Sequence, residues 1–211
     1  VYNSIITTLK EYRKIVIVTH VNPDGDAIGS SLALYLFAKK LGLEPKVIVP
    51  NDFPKYLAWM PSAQDIVVFD KNTEEAVRIM SEAELFCYLD FNEPSRTGLM
   101  HNELCHLNKT PRLLIDHHIG ADKSQFVACY SETEISSTAE MVAEVIKYHG
   151  FDECLDNDMA TNIIVGMITD TGTFSHSIFK NTFSIFGEIL SATTVNYKKI
   201  HQNIYDTSTE D

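Results

Sequence analysis

The chain has 211 residues, of which 45% are hydrophobic and 22% are charged, a length and composition typical of one large globular domain or two small ones. Its 29 acidic and 17 basic residues give a formal charge of -12, which argues against a protein that coats long nucleic acid through a basic surface. A short phosphorylated substrate is not excluded, because divalent cations bound by clustered acids would offset the local negative charge.

The cysteines are far apart in the sequence and form no CxxC pair, so we expect thiols in the core of a cytoplasmic protein rather than a disulfide framework. They are Cys87, Cys105, Cys129 and Cys154. No apolar run approaches the ~18 to 20 residues that a membrane helix needs, and no signal-like stretch is present. We therefore expect no membrane partner, and the composition is compatible with a monomer or an oligomer.

Five short runs rich in β-branched and aliphatic residues alternate with helical patterns. They cover residues 15–20, 46–50, 65–70, 84–90 and 112–118. Such alternation is typical of βα units, so the predicted fold class is α/β, with a parallel β-sheet flanked by helices. Because open α/β sheets form their ligand sites at the carboxyl ends of the strands, the polar residues that end these runs should converge in space.

Helical patterns fill the intervals and the second half of the chain. The predicted helices cover residues 27–41, 138–148, 157–168 and 195–206. Gly42 and Gly150 are the predicted stops of the first two. Ser137 and Glu140 have the spacing of a capping box at the start of the second. No linker-like tract precedes the last residues, so we expect one main domain.

The first polar cluster contains His20, Asp24 and Asp26 within seven residues. Like charges held within ~4 to 6 Å raise each other's pKa, so such a cluster needs a cation or hydrogen bonds. Carboxylates with one imidazole suit Mn²⁺ or Mg²⁺, whereas the oxygen ligands that a calcium loop requires are missing from their positions. A solvated turn with Asp26 as the N-cap of a helix explains this stretch equally well.

Three further polar positions end predicted elements: Asp90, the group Asp116, His117 and His118, and Asp170. Taken singly, each has an ordinary structural explanation as a loop anchor, a surface histidine pair or a helix-terminating turn. Two adjacent histidines behind an aspartate can also provide one metal ligand and one group that meets substrate. The coincidence of four such positions at element ends in one sheet favours a common site.

Four stretches carry a resemblance to a known family. In order, they are HVNPDGDAIGSS, YLDFNEPSRTG, LLIDHHIG and GMITDTGTF, and they resemble the four signature motifs of the DHH phosphoesterases. The likeness spans about residues 5–190 and is strongest to the bacterial nanoRNase/pAp phosphatase branch. It implies a Mn²⁺-dependent enzyme that hydrolyses short oligoribonucleotides and 3′-phosphoadenosine 5′-phosphate.

Other activities of the superfamily remain open alternatives. They are an exopolyphosphatase or family II inorganic pyrophosphatase, a single-strand DNA exonuclease, and a cyclic dinucleotide phosphodiesterase. A non-catalytic nucleotide sensor is the alternative from a different class. It would bind nucleotide without releasing phosphate.

The resemblance also implies ligands for two Mn²⁺ ions, with Mg²⁺ as the alternative metal. The six implied ligands form two sets and a bridge: His20 and Asp24 for one ion, Asp26, His117 and Asp170 for the other, and Asp90 between them. Two ions ~3.5 to 4 Å apart would activate a hydroxide for attack on phosphorus.

Three more residues receive expected roles in catalysis or substrate binding. The resemblance implies that Asp116 orients its neighbours and that His118 faces the substrate phosphate. Arg96 is either a bidentate phosphate ligand or a solvated loop arginine. Relatives of this branch carry a second, DHH-associated domain with a glycine-rich motif, which these 211 residues lack. We therefore expect a catalytic domain over residues 1–190, and over 191–211 a terminal helix and the start of a linker to that absent domain.

Overall fold

A computed structural model describes residues 1–206 of the chain. Its strands are β1 Lys14–Val18, β2 Glu44–Val49, β3 Val67–Val68, β4 Leu85–Leu89, β5 Arg112–Asp116 and β6 Ala128–Ser131. They form one parallel sheet in the order β3-β2-β1-β4-β5-β6. The predicted α/β class is confirmed, and each of the five predicted runs contributes one strand.

The edges of the sheet differ most from the predicted runs. The run over 65–70 yields only the two residues of β3, which pair with Ile48 and Val49 of β2. The other edge strand, β6, has no counterpart among the predicted runs. Both edge strands are shorter than the central ones, which limits the row of unpaired N–H and C=O groups at each edge.

Eight α-helices are described within residues 1–206: α1 Tyr2–Glu11, α2 Gly25–Lys40, α3 Thr73–Ser81, α4 Met100–His106, α5 Thr138–Cys154, α6 Asn157–Asp170, α7 Thr182–Ala192 and α8 Tyr197–Tyr205. The predicted helices correspond to α2, α5, α6 and α8. Gly150, the predicted stop, has φ 128° and marks a kink, after which the chain is helical again to Cys154.

The central strands are buried on both faces. In β1, Ile15 and Ile17 belong to the larger hydrophobic core, while Val16 and Val18 belong to the smaller one. The larger core packs the sheet against α1, α2, α5 and α6, and the smaller core packs it against α3 and α4. Since successive side chains of a strand point to opposite faces, this alternation requires apolar residues throughout the strand.

Glycines allow α2 and α6 to pack at very short range. A Cβ atom on Gly29 would lie 2.5 Å from the Asn162 carbonyl oxygen, and one on Gly25 would lie 2.3 Å from Thr169 Oγ1. Such distances are shorter than any ordinary van der Waals contact. Because α2 begins beside Asp24 and α6 ends at Asp170, this close packing brings two of the predicted ligand positions together.

The capping box at the start of α5 is formed with one change. Ser137 Oγ accepts a hydrogen bond from the Glu140 N–H at 3.0 Å, as predicted. The Glu140 carboxylate, however, accepts from the N–H and hydroxyl of Ser136, one residue earlier than the capping-box pattern requires. A third donor, the hydroxyl of Thr182 in α7, lies 3.0 Å from the same carboxylate.

The structure also tests the expectations about cysteines and membranes. All four thiols are free. Cys87 and Cys154 are buried and Cys129 is partly buried, but Cys105 is exposed, so the prediction of a core position is wrong for Cys105. None of the helices between residues 1 and 206 combines the length and apolarity needed to cross a membrane.

Candidate metal centre

The predicted site residues meet at the carboxyl ends of β1, β4 and β5. His20 follows β1, Asp90 follows β4, and Asp116 ends β5. β1 and β4 are neighbours in the sheet, and the chain builds outward from them in opposite directions. This reversal of strand order opens a crevice between the loops that follow the two strands.

The turn before α2 separates the roles of Asp24 and Asp26. Asp24 is the N-cap of α2, because its Oδ1 accepts from the N–H groups of Asp26 and Ala27, each at 3.0 Å. The alternative in which Asp26 caps α2 is therefore wrong. Capping occupies one of the two carboxylate oxygens of Asp24. The residue itself is exposed to solvent.

Asp26 lies in the first turn of α2 and is buried. Its two oxygens accept backbone hydrogen bonds from the start of α5, from Thr138 N–H at 2.7 Å and Ala139 N–H at 2.8 Å. The positive end of the α5 dipole stabilises a carboxylate there. Burial, followed by the charges of Asp90 and Asp170, nevertheless raises the pKa of Asp26 well above its usual range. A cation beside Asp26 would relieve this repulsion.

Asp90 occupies the middle of the cluster. Its Oδ2 lies 3.3 Å from His20 Nε2, and its Oδ1 lies 3.4 Å from His117 Nε2. Although burial alone would raise its pKa, hydrogen bonds with His117 and His20 lower it below the usual value. Its φ of 65° places it in the left-handed region, which aspartate tolerates better than most residues.

Two histidines present their Nε2 atoms to the acids. His20 Nδ1 donates to the Val21 carbonyl oxygen at 2.9 Å, so Nε2 is its available ligand atom. Nε2 of His117 lies 3.8 Å from Asp170 Oδ2 and 3.9 Å from Asp26 Oδ2. Burial lowers the pKa of His117, but the hydrogen bond to Asp90 and the neighbouring carboxylates raise it to about 10.

Asp170 is the last residue of α6. Burial raises its pKa, His117 lowers it, and the charges of Asp90 and Asp24 raise it again, with a result of about 6. Burial displaces the pKa of Asp170 most, and the neighbouring carboxylates raise both its pKa and that of His117. This is the arrangement in which a divalent cation would replace protons.

His118 belongs to a neighbouring hydrogen-bond network. Its Nδ1 donates to Asp116 Oδ1 at 2.7 Å, which leaves Nε2 as the nitrogen available to a ligand. The second oxygen of the fully buried Asp116 accepts from Asn92 Nδ2 at 2.8 Å. The Asn92 amide also reaches the Ile119 carbonyl oxygen at 3.3 Å, so it joins the loops after β4 and β5.

The ligand atoms form compact groups that fit hard divalent cations. The atoms of His20, Asp24 and Asp90 lie within 4.8 Å of one another, and so do those of Asp26, His117 and Asp170. A third group, Asp90, His117 and His118, is equally compact and overlaps both the bridge and the second set. Carboxylate oxygens with imidazole nitrogens and no thiolate match the preferences of Mn²⁺ and Mg²⁺. The structure thus brings all six predicted ligands together in the expected sets, and their assignment as ligands stays a prediction.

Arg96 lies beside this cluster rather than in it. It is half-buried in the short 3-10 turn Pro94–Thr97, and its carbonyl oxygen accepts from the Val21 N–H at 2.7 Å. Among residues 1–206, no ion pair joins its guanidinium to the six acids and histidines. Its role in phosphate binding stays a prediction.

Two polar residues at the site have no counterpart among the predicted site residues. Asn92 holds Asp116, and Thr138 donates its hydroxyl to Asp90 Oδ1 at 3.0 Å. Asn92 could have been found from its place two residues after Asp90 in a predicted loop. Thr138 could have been found only as the first residue after a double serine at a helix start.

An α/β sheet whose switch point carries two carboxylate-histidine groups defines a class of proteins with paired sites for divalent cations. The chain belongs to the DHH family: the profile of the DHH family, N-terminal domain, matches residues 14–167. This match covers the sheet from β1 to β6 and most of α6. The family resemblance of the sequence motifs is confirmed.

Individual relatives support the same placement. The bifunctional oligoribonuclease and PAP phosphatase NrnA of Thermus thermophilus is 33% identical over 168 residues, which are 80% of this chain and 45% of that protein. The cyclic-di-AMP phosphodiesterase GdpP of Bacillus subtilis is 26% identical over 82% of this chain and 27% of its own length.

A solved structure is also similar. The crystal structure of an exopolyphosphatase-related protein from Bacteroides fragilis matches with a TM-score of 0.90 and 37% identity, over 97% of this chain and 60% of that one. The chain thus spans less than two thirds of the length of each of these relatives.

Proposed function

We propose that residues 1–190 are the catalytic domain of a phosphoesterase that requires Mn²⁺, with Mg²⁺ as the alternative metal. Its proposed substrates are short oligoribonucleotides and 3′-phosphoadenosine 5′-phosphate. The observation that carries this proposal is the cluster of three-residue groups of acids and histidines at the buried Asp90 carboxylate and beside it. The similarity to NrnA over 80% of the chain supports the choice of substrates.

The residues would divide the work of holding two cations. His20 and Asp24 would hold one, Asp26, His117 and Asp170 the other, and Asp90 would contact both. When bound, such cations lower the pKa of a water molecule and neutralise charge that develops on the phosphoryl oxygens. The buried carboxylates would hold the two cations at fixed positions in the crevice.

His118 would contact the substrate itself. Because Asp116 accepts its Nδ1–H at 2.7 Å, the ring is fixed in one orientation and presents Nε2 to the substrate, where the doubly protonated ring would donate to a phosphoryl oxygen. The side chain of His118 is 38% exposed, whereas that of His117 is 17% exposed. This difference supports substrate contact for His118 and cation binding for His117. Arg96 would add a second phosphate contact from the neighbouring loop.

The overall charge favours short substrates. A net charge of -12 provides little attraction for a long phosphate backbone. Proteins that bind long single strands typically have a positively charged groove along the backbone. A short oligonucleotide or a nucleotide with one terminal phosphate needs neutralisation only at the reacting phosphate. The paired cations would supply it there.

A polyphosphate hydrolase is the second candidate, favoured by the similarity at TM-score 0.90 to the Bacteroides fragilis exopolyphosphatase-related protein. It would use the same cation ligands and differ in the group that leaves the phosphorus. The similarity to GdpP makes cyclic di-AMP a substrate to test beside it.

A parallel turnover assay tests the proposal. The chain is incubated with Mn²⁺ and, separately, a diribonucleotide, 3′-phosphoadenosine 5′-phosphate, pyrophosphate, a short polyphosphate and cyclic di-AMP, and products are separated by ion-exchange chromatography. Asp90→Asn serves as the matched control because it keeps the shape of the side chain. We expect hydrolysis of the first two substrates by the unaltered chain alone. Hydrolysis of polyphosphate or cyclic di-AMP alone would replace the proposed activity, and binding without any turnover would identify a sensor.

A further inference from the structure

Thr138 is a buried threonine that contacts both central acids of the cluster. Its backbone N–H donates to Asp26 Oδ2 at 2.7 Å, and its hydroxyl donates to Asp90 Oδ1 at 3.0 Å. Its relative exposure is 0%. Among residues 1–206, it is the residue whose hydrogen bonds link the two carboxylates that belong to different cation groups.

The Asp90 carboxylate is oriented by its polar contacts. Asp90 follows the last residue of β4 with a φ of 65°, and its histidine contacts at 3.3 and 3.4 Å are long for hydrogen bonds. The hydroxyl of Thr138 makes the shortest contact to this carboxylate. The Thr138 hydroxyl is therefore the closest of the three donors that orient this carboxylate, beside His20 and His117.

Thr138 is itself held in place by the turn that begins α5. It is the first residue of α5, and the preceding turn is anchored by Ser137 Oγ, which accepts the Glu140 N–H. The Glu140 carboxylate in turn holds Ser136 and, from α7, Thr182 at 3.0 Å. A β-branched side chain also has a restricted χ1 angle. The hydroxyl is consequently presented to Asp90 from a rigid support.

Loss of the Thr138 hydroxyl should weaken cation binding. Residues that hold metal ligands from behind fix the ligand orientation, and their removal typically weakens metal binding by ~10- to 100-fold. Valine has nearly the same shape as threonine but lacks the donor. With valine at position 138, the backbone bond to Asp26 would persist while Asp90 Oδ1 would lose its hydroxyl partner.

We infer that Thr138 is a positioning residue for the cation site: its hydroxyl orients the Asp90 carboxylate between the two groups of ligands, while its N–H holds Asp26. The inference rests on the proposed function only in that the six side chains bind divalent cations. The start of α5 would thus fix the positions of the two sets of cation ligands relative to each other.

Calorimetric titration of the chain with MnCl2 tests this inference without any substrate. We expect Thr138→Val to weaken Mn²⁺ binding by ~10- to 100-fold, and Thr138→Ser, which restores a hydroxyl, to bind within a few-fold of the unaltered chain. Thr138→Ala removes the donor without adding bulk and should repeat the loss if the valine variant does not fold. Thr8→Val, the same change at a buried threonine of α1, should leave binding unchanged.

The outcomes separate this inference from the proposed function. Equal affinities for the unaltered chain and the folded Thr138→Val or Thr138→Ala variant would overturn the inference, as would a serine variant as weak as valine. If the unaltered chain binds Mn²⁺ but hydrolyses none of the five substrates, the proposed function fails and the role of Thr138 is still supported by the variants. Absence of Mn²⁺ binding in the unaltered chain would overturn both.

Discussion

The tight contact of Gly166 with Ala139 and Asp26 provides a quantitative test of the helix packing. A Cβ atom on Gly166 of α6 would lie 2.4 Å from Ala139 Cβ and 2.9 Å from Asp26 Oδ1. Carbon atoms in contact normally stand ~3.5 to 4 Å apart. Ala139 Cβ cannot rotate away, and the Asp26 carboxylate is held by the Thr138 and Ala139 N–H groups. Gly166→Ala therefore requires α5 and α6 to separate or Asp26 to move.

The expected loss follows from two opposing terms. Overpacking a tight core costs ~1 to 3 kcal/mol, and the better helix propensity of alanine returns about 1 kcal/mol. With contacts this short, we take the upper end and expect a net loss of about 2 kcal/mol. In a domain of this size, that lowers the melting temperature by roughly 4 to 8 °C. Displacement of Asp26 should also weaken Mn²⁺ binding by about tenfold.

Thermal unfolding and calorimetric titration measure these two effects. Gly187→Ala is the matched control, because nothing lies within 4 Å of a Cβ atom at that position of α7. The control should raise the melting temperature slightly, through the helix-propensity gain of up to about 1 kcal/mol. A Gly166→Ala variant that melts at or above the temperature of the unaltered chain and binds Mn²⁺ equally well would refute the packing argument.

Four further predictions concern the cation ligands and the neighbouring His118. Asp90→Asn, which tolerates the φ of 65°, should lower turnover by more than about 100-fold together with cation content by elemental analysis; normal cation content would contradict the central role of Asp90. His118→Ala should lower the turnover rate about 100-fold and leave calorimetric Mn²⁺ affinity nearly unchanged, and lost affinity would indicate a ligand. Because the pKa of His117 is raised to about 10, Mn²⁺ binding near pH 7 should release a proton, and titration in buffers of different ionisation enthalpy should detect it. In the cation-free chain, the stability from protonated His117 is complete below its unfolded pKa of ~6.5 and is lost as pH rises through about 10; unfolding midpoints that do not fall over this interval would contradict it.

The central strands and four helices follow from local patterns. β1, β4 and β5 each coincide with an apolar run, because burial on both faces leaves few polar residues in a central strand. The edge strand β6 does not form a continuous apolar run, since its residues alternate between buried and half-buried. It is therefore not predicted from the sequence. Helices α1, α3, α4 and α7 have no counterpart among the predictions.

The predicted site residues converge because of strand ends, but their individual roles depend on distant contacts. The pattern after β1 could not decide whether Asp24 or Asp26 caps α2, since both lie near the start of the helix. Packing decides it, because the start of α5 offers two N–H groups to Asp26 from more than 100 residues away. Asp24 is left to cap its own helix.

By itself, the sequence predicted a set of candidate site residues and predicted that strand ends would bring them to one edge of a parallel sheet. Those properties depend on periodicity and on residue types within a few positions of one another. Only the tertiary structure decided that Thr138 holds the Asp90 carboxylate and that Asn92 holds the Asp116 carboxylate, across 48 and 24 residues of sequence respectively. Such pairings arise when glycine-lined helices pack against a common sheet, and no local pattern specifies the side chains that this packing brings into contact.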